Sequence, residues 1–225
     1  MKPRIGLITI GQSPRPDIVN EMRTLLGNGT EILEAGALDG LSKEEVLDFI
    51  ASAGTAKQGY LVTRLQDGTS ITIPKEYVAD RIGFALQKLE NQHVGFAAIL
   101  CVGDFPEYTF GGILLRPGKL LIQLVMSIQR GGKGVIVIPL EEERHEAKQR
   151  WNLPNVDSII KVLPTGADSD TVDRLLEEIK GEAPSFVVLE CMGWGENLKN
   201  LLKEKVNCPV ILPKTLLACT LKEIM

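Results

Sequence analysis

Apolar positions recur along the chain in two rhythms. Short β-branched runs stand at 5–10, 30–33, 95–101, 135–139, 158–163, 186–191 and 210–212. Between them lie segments at 17–26, 42–53, 74–92, 119–129, 141–151, 171–180, 196–205 and 216–224, long enough for helices with one apolar face. The short runs are nearly continuous in Val, Ile and Leu, the pattern of strands buried on both faces. Punctuation agrees: Gly11 closes the first strand, and Pro14 and Pro16 precede a helix that opens with Asp17. Ser42-Lys43-Glu44-Glu45 has the spacing of a capping box. Tyr60–Leu65 and Thr69–Ile73 flank Asp67-Gly68, which predicts a hairpin. Strands alternating with helices predict an α/β fold of mainly parallel sheet covered by helices on both faces.

The pattern also repeats. Phe96-Ala-Ala-Ile-Leu-Cys101-Val-Gly103 aligns without gaps on Phe186-Val-Val-Leu-Glu-Cys191-Met-Gly193, each a strand ending in cysteine, then one residue, then glycine. Upstream, Gly6-Leu-Ile-Thr-Ile10 echoes Gly134-Val-Ile-Val-Ile138. Gly6 to Phe96 is 90 positions and Gly134 to Phe186 is 52, so the first half carries 38 more, which the hairpin and the helix before it would account for. Two pseudo-symmetric lobes facing across a cleft are expected.

Composition narrows the chemistry. The 25 Lys and Arg against 29 Asp and Glu give a net charge of −4, without the basic footprint of a nucleic-acid or anionic-membrane binder. The longest apolar stretch, Leu120–Ile128, is interrupted by Gln123 and falls short of a membrane span. His93 and His145 are the only histidines, which disfavours a multi-histidine metal site or a Ser-His-Asp triad. Cys101, Cys191, Cys208 and Cys219 form no CxxC pair, so neither a zinc ribbon nor a thioredoxin motif is present. A reducing cytoplasm is the expected location. Proton chemistry would then fall on carboxylates, lysines or thiols.

Ligands of open parallel sheets bind beyond the carboxyl ends of the strands, where Cys101 and Cys191 stand. Opposed thiols there suit a two-base reaction at a carbon acid, one thiolate removing a proton and one thiol delivering another to the opposite face. With each sulfur at near-attack distance, the pair would be about 6–7.5 Å apart around substrate. Helices starting after 103 and 193 would lower the thiol pKa. The competing reading is core packing, the expected role of Cys208 and Cys219. The loop Gly11-Gln12-Ser13-Pro14-Arg15 leads to a helix N-terminus, where Ser13 would donate to a carboxylate and Arg15 would clamp it; it lacks the P-loop GKS/T element and is not GxGxxG. Gly103, Asp104, Tyr108 and Thr109 would follow the first thiol into the site, and Gly193 and Trp194 the second. Glu190 alternates with Cys191 and should point away unless the strand end twists, and Glu141–His145 reads as a solvated helix face.

These residues carry a resemblance. Ile5-Gly-Leu-Ile-Thr-Ile-Gly11-Gln12-Ser13-Pro14-Arg15, Leu41-Ser42-Lys-Glu-Glu-Val46 and Leu189-Glu-Cys191-Met-Gly193 resemble the AroM family over nearly the full chain. That family is similar to the Asp/Glu/hydantoin racemase superfamily. The resemblance implies two α/β lobes, 1–115 plus 210–225 and 116–209, an interlobe site, Cys101 and Cys191 as acid and base, and no cofactor or metal. It implies a small carboxylate ligand, no nucleic acid and no membrane, and leaves a homodimer open. Amino-acid racemases of the superfamily carry Asp-Ser in the first loop, Cys-Asn-Thr at the first thiol and Cys-Thr-His at the second. Here stand Gln12-Ser13, Cys101-Val102-Gly103 and Cys191-Met192-Gly193-Trp194, which leaves the substrate open. The expected activity is cofactor-independent racemase- or isomerase-type proton transfer, with a related decarboxylase as variant and a non-catalytic small-molecule-binding protein as alternative.

Overall fold

A computed structural model describes residues 3–128 and 131–225. The chain runs β1 (Arg4–Thr9), α1 (Pro16–Leu26), β2 (Glu31–Gly36), α2 (Lys43–Ser52), β3 (Tyr60–Arg64), β4 (Ser70–Pro74), α3 (Lys75–Glu90), β5 (Phe96–Ile99), β6 (Ile113–Leu115) and α4 (Pro117–Ile128). Then follow β7 (Gly132–Ile138), a 3-10 turn at Glu141–Glu143, α5 (Arg144–Arg150), β8 (Val156–Val162), α6 (Ser169–Gly181), β9 (Phe186–Leu189), α7 (Glu196–Lys205), β10 (Val210–Ile211) and α8 (Pro213–Ile224). Gln129, the last residue of a helix expected from the sequence, lies outside the described residues. The capping box at α2 forms, with Ser42 Oγ accepting from the Glu45 N–H at 3.1 Å and Glu45 Oε2 from the Ser42 N–H at 2.7 Å.

Two four-stranded parallel sheets have the same topology, β2-β1-β5-β6 and β8-β7-β9-β10, and the antiparallel hairpin β3–β4 stands apart from both. Strand β6 was not expected, since 102–113 reads as irregular. Its three residues follow Gly111-Gly112 and are too few to carry a periodicity, so pairing with Phe96–Ala98 specifies it. The repeat is real but displaced by one residue. Ile5 pairs with Phe96, whereas Gly134 pairs with Phe186, so Gly134 occupies the place of Ile5 rather than of Gly6. The two glycines echo for different reasons: a Cβ on Gly6 would meet Leu89, and one on Gly134 would meet the Phe186 ring.

Each sheet is covered on both faces. One side of the first packs on α2, α3 and the hairpin through residues such as Val46, Ile73 and Ile82, and the other on α1 and α8 through Met22 and Leu217. The second sheet buries Leu176 and Leu202 on one side and Leu121, Ala147 and Trp151 on the other. Two residues cross between these cores. Val102, after the first-sheet cysteine, is buried with Leu121, Ile136 and Phe186 of the second lobe. Met192, after the second-sheet cysteine, is buried with Leu7, Leu100 and Leu217 of the first. The chain's return also differs from the expected 210–225 segment. Strand β10 pairs with β9 in the second sheet, and it is α8 that packs on α1 and α4. No helix among the described residues is long and apolar enough to cross a membrane.

The crossing of Met192 makes a stability test. Met192→Ala should cost about 2–5 kcal/mol by leaving a cavity, whereas Met192→Leu should cost under about 1.5 kcal/mol. Urea midpoints measure both, and equal midpoints for Met192→Ala and wild type would mean that this contact does not hold the lobes.

Candidate active site

The two lobes leave between them a cavity of about 70 Å³, lined by both strand-end cysteines. Cys101 and Cys191 are held alike: the Gly103 N–H donates to Cys101 Sγ at 3.4 Å and the Gly193 N–H to Cys191 Sγ at 3.4 Å. These bonds favour thiolate, but burial outweighs them and pushes both thiols up to about 12. The expected helix dipoles do not offset this. The next helix after Cys101 is α4, beginning at Pro117 with Gly118 against the Val102 carbonyl, and after Cys191 it is α7, beginning at Glu196. Both thiols therefore keep their protons at neutral pH in the unliganded site.

Charged groups surround the thiols. Arg15 and Asp17 come from the start of α1, Arg64 from β3, Glu143 from the 3-10 turn, Glu146 and Arg150 from α5, and Glu190 from the end of β9. Asp17 takes Arg15 at 2.8 Å and Arg64 at 3.6 Å. Arg150 pairs with the buried Glu190, which also accepts from Trp151 Nε1 at 2.7 Å, and with Asp104 of the first lobe at 3.0 Å. Burial raises the Glu190 carboxyl, and Arg150 opposes the shift. Burial, with Glu190 and Glu146 as like charges, pushes Glu143 up to about 8. Among the described residues no group of three or more His, Cys, Asp or Glu is arranged to hold a metal ion.

The structure brings Arg15, Gly103 and Gly193 to the cavity with the two cysteines. The other sequence candidates are engaged elsewhere. Ser13 donates its hydroxyl to Asp39 Oδ2 at 2.7 Å and its N–H to Oδ1 at 2.7 Å, so Asp39 occupies the groups meant for a ligand. Gln12 bonds Leu41 O at 2.7 Å and accepts from the Gln66 N–H at 2.8 Å, fastening the loop to the hairpin, and Gly11 packs against Thr63 and Arg64. Asp104 is exposed and does not line the cavity, although it pairs with Arg150, which does. Trp194 is buried among Leu189, Leu202 and Val210. Tyr108 donates to Ala79 O at 2.8 Å.

Sequence reasoning missed Glu143, Glu146, Arg150 and Glu190. Glu190 lines the cavity instead of pointing away, because the strand stops at Leu189 and the chain turns before the alternation is completed. The acidic run 141–146 is not a uniformly solvated face, since the 3-10 turn directs Glu143 inward while Glu142 is exposed. A switch from 3-10 to α geometry leaves no periodic signal over so short a run. The hairpin, whose Arg64 and Asp67 read in sequence as surface residues unless the inserted hairpin covers a cleft, contributes Leu61, Val62, Thr63 and Arg64 to the cavity lining.

A family model described as AroM protein matches residues 5–225. No curated protein matches the sequence. Among solved structures the chain is similar to allantoin racemase from Klebsiella pneumoniae, at 18% identity and a TM-score of 0.65, covering 99% of this chain and 86% of that one. It is similar to the maleate isomerase Iso from Pseudomonas putida S16, at 12% identity and 0.62, covering 99% and 92%. It is also similar to arylmalonate decarboxylase, at 12% identity and 0.60, covering 98% and 92%. At these identities the likeness is one of fold.

The raised Glu143 carboxyl gives stability a predictable pH dependence. Between its ordinary value of 4.5 and about 8, the folded protein holds a proton that the unfolded chain has released. Stability from this group is complete below that window and is lost as pH rises through it. The wild-type unfolding free energy, measured relative to Glu143→Gln in urea, should fall from pH 5 to 8 by up to about 1.4 kcal/mol per pH unit and then level. Parallel curves would place Glu143 in water.

Proposed function

The chain belongs to the AroM family, and from that premise we propose that it catalyses cofactor-independent proton transfer at a carbon acid bearing a small carboxylate, with Cys101 and Cys191 as opposed acid and base. One observation carries this reading: thiols from equivalent ends of two like sheets line one cavity, each bonded by the N–H two residues on. Packing alone does not call for that equivalence. In the forward step one thiolate takes the proton from carbon, and its electron pair passes into the carboxylate as an enediolate. The facing thiol then returns a proton to the other face of the same carbon. Arg15 and Arg64, both at the cavity edge on Asp17, are the guanidinium groups available to the carboxylate.

A second reading draws on the thiols' raised pKa. A protonated thiol is the acid a decarboxylase needs. The bond from carbon to a leaving carboxylate breaks, carbon dioxide departs, and the thiol protonates the enediolate without any thiolate having formed first. The fold likeness to a decarboxylase as well as to a racemase and an isomerase is compatible with either reaction.

Solvent deuterium uptake at the α-carbon of hydroxy, amino and dicarboxylic acids, followed by proton NMR, tests the proposal. Wild type should exchange at least one acid, and Cys101→Ser and Cys191→Ser should each slow exchange by about 10²–10⁴-fold. Exchange accompanied by carbon dioxide release from a malonate-type acid favours the decarboxylase. Measurable ligand binding without exchange or gas release would reduce the protein to a binding module.

A further inference from the structure

A hydroxyl taken out of water without a hydrogen-bond partner destabilises a fold, so buried polar groups are ordinarily satisfied. Among the described residues three buried side-chain atoms have no such partner: Glu21 Oε2, Trp194 Nε1 and Thr63 Oγ1. Glu21 Oε2 lies 3.0 Å from Lys214 Nζ, whose charge compensates it. Trp194 belongs to the core of the second lobe and does not line the cavity. Thr63 does line the cavity, from β3 of the hairpin, and is only 5% exposed. The other hydroxyl residues of the lining are Ser70, which is exposed, and Thr165, which is half-buried, so both reach solvent.

The surroundings of the Thr63 hydroxyl indicate what it is meant to meet. It lies over Gly11, where a Cβ would come within 2.4 Å of it, so the glycine leaves the oxygen its room. The Gly11 N–H donates to Thr9 Oγ1 at 3.2 Å, and Arg15 Nη1 donates to the same oxygen at 3.2 Å. Thr63 and the Arg15 guanidinium therefore share the corner of the cavity at the end of β1. The hairpin is fastened at that corner, since the Gln12 N–H donates to Arg64 O at 3.2 Å and Gln12 Oε1 accepts from the Gln66 N–H at 2.8 Å. Arg15 spends one N–H on Thr9 and two on Asp17, which leaves two of its five donors. A spare guanidinium donor beside an unpaired hydroxyl suits an oxygen anion, and a carboxylate has lone pairs for both.

We infer that Thr63 is a substrate-binding residue whose hydroxyl donates to the carboxylate of the bound acid beside Arg15, the part that Ser13 cannot take because Asp39 holds its hydroxyl. This deepens the proposed function and rests on reading the cavity as a carboxylate site. One staggered step about the Cα–Cβ bond swings the hydroxyl away from Gly11. In turning it breaks no hydrogen bond within the protein, so the bond to the ligand is gained without one being lost. The hairpin, which belongs to neither four-stranded sheet, then supplies a binding group as well as part of the wall.

Two variants test this. Thr63→Val removes the hydroxyl and keeps the branched shape, and Thr63→Ser keeps the hydroxyl. In the ligand-free protein Thr63→Val should raise the urea midpoint, because a methyl replaces an unpaired hydroxyl. A lowered midpoint would give the hydroxyl a structural partner and overturn the inference. Binding is read as protection of Cys101 and Cys191 from iodoacetamide by acetate, glycolate or malonate at constant ionic strength, with peptide mass spectrometry normalised to the exposed Cys219. For at least one acid the half-protecting concentration should rise about tenfold or more in Thr63→Val and stay within about threefold of wild type in Thr63→Ser, the cost of one hydrogen bond to a charged acceptor. Equal protection of wild type and Thr63→Val, an equal loss in Thr63→Ser, or no protection of wild type by any of the three acids would also overturn it. The contrast between valine and serine without deuterium exchange would remove the two-thiol reaction and keep Thr63 as a carboxylate-binding residue. Cysteine-dependent exchange with protection untouched by Thr63→Val would do the reverse.

Discussion

The exchange of Val102 and Met192 between lobes is the constraint on which the site depends. Each residue follows a strand-end cysteine, and each is buried in the core of the opposite lobe. An apolar side chain buried across an interface favours docking by about 1.5–3 kcal/mol, and two related by the repeat hold both strand ends at once. The cysteine before each is thereby kept at the seam, and the glycine after each turns its N–H back onto the sulfur. The same docking that aligns the thiols also desolvates them, which is why alignment and a high thiol pKa come together.

Around that seam the charges are arranged to be neutralised in place. Arg150 stands at the centre, reaching Glu190 at the end of its own sheet and Asp104 from the other lobe. A buried carboxylate such as Glu190 would be costly alone, and a guanidinium with two partners plus the Trp151 N–H offsets the cost. Lys75 and Glu146 add a second tie between the lobes, from the helix that follows the hairpin to α5. Burial and the neighbouring Glu190 and Glu146 push the Glu143 carboxyl up to about 8, so a cavity lined by four acids is less negative than a count of its residues suggests.

The fold was largely legible because its signals are local. Buried parallel strands announce themselves as Val- and Ile-rich runs, and the capping box and Asp-Gly hairpin mark their own turns. The repeat around Phe96–Gly103 and Phe186–Gly193 led directly to the two thiols that share a cavity. Where the reading slipped, the signal was too short or was not local. β6 has three residues, and the strand-end echo of Gly6 and Gly134 is displaced by one because each glycine makes room for a different side chain. Ser13 looked like a ligand donor because nothing nearby in sequence names Asp39 as its partner.

The sequence by itself determined the alternation of strand and helix, the doubled architecture and the two cysteines, since these follow from spacing and from residue types at strand ends. Only the tertiary structure decided which polar side chains share the cavity. Ion pairs such as Arg150 with Glu190 and Asp104 join residues from separate elements. Their charges are fixed by burial and by distance through space, neither of which is written in the spacing of residues along the chain.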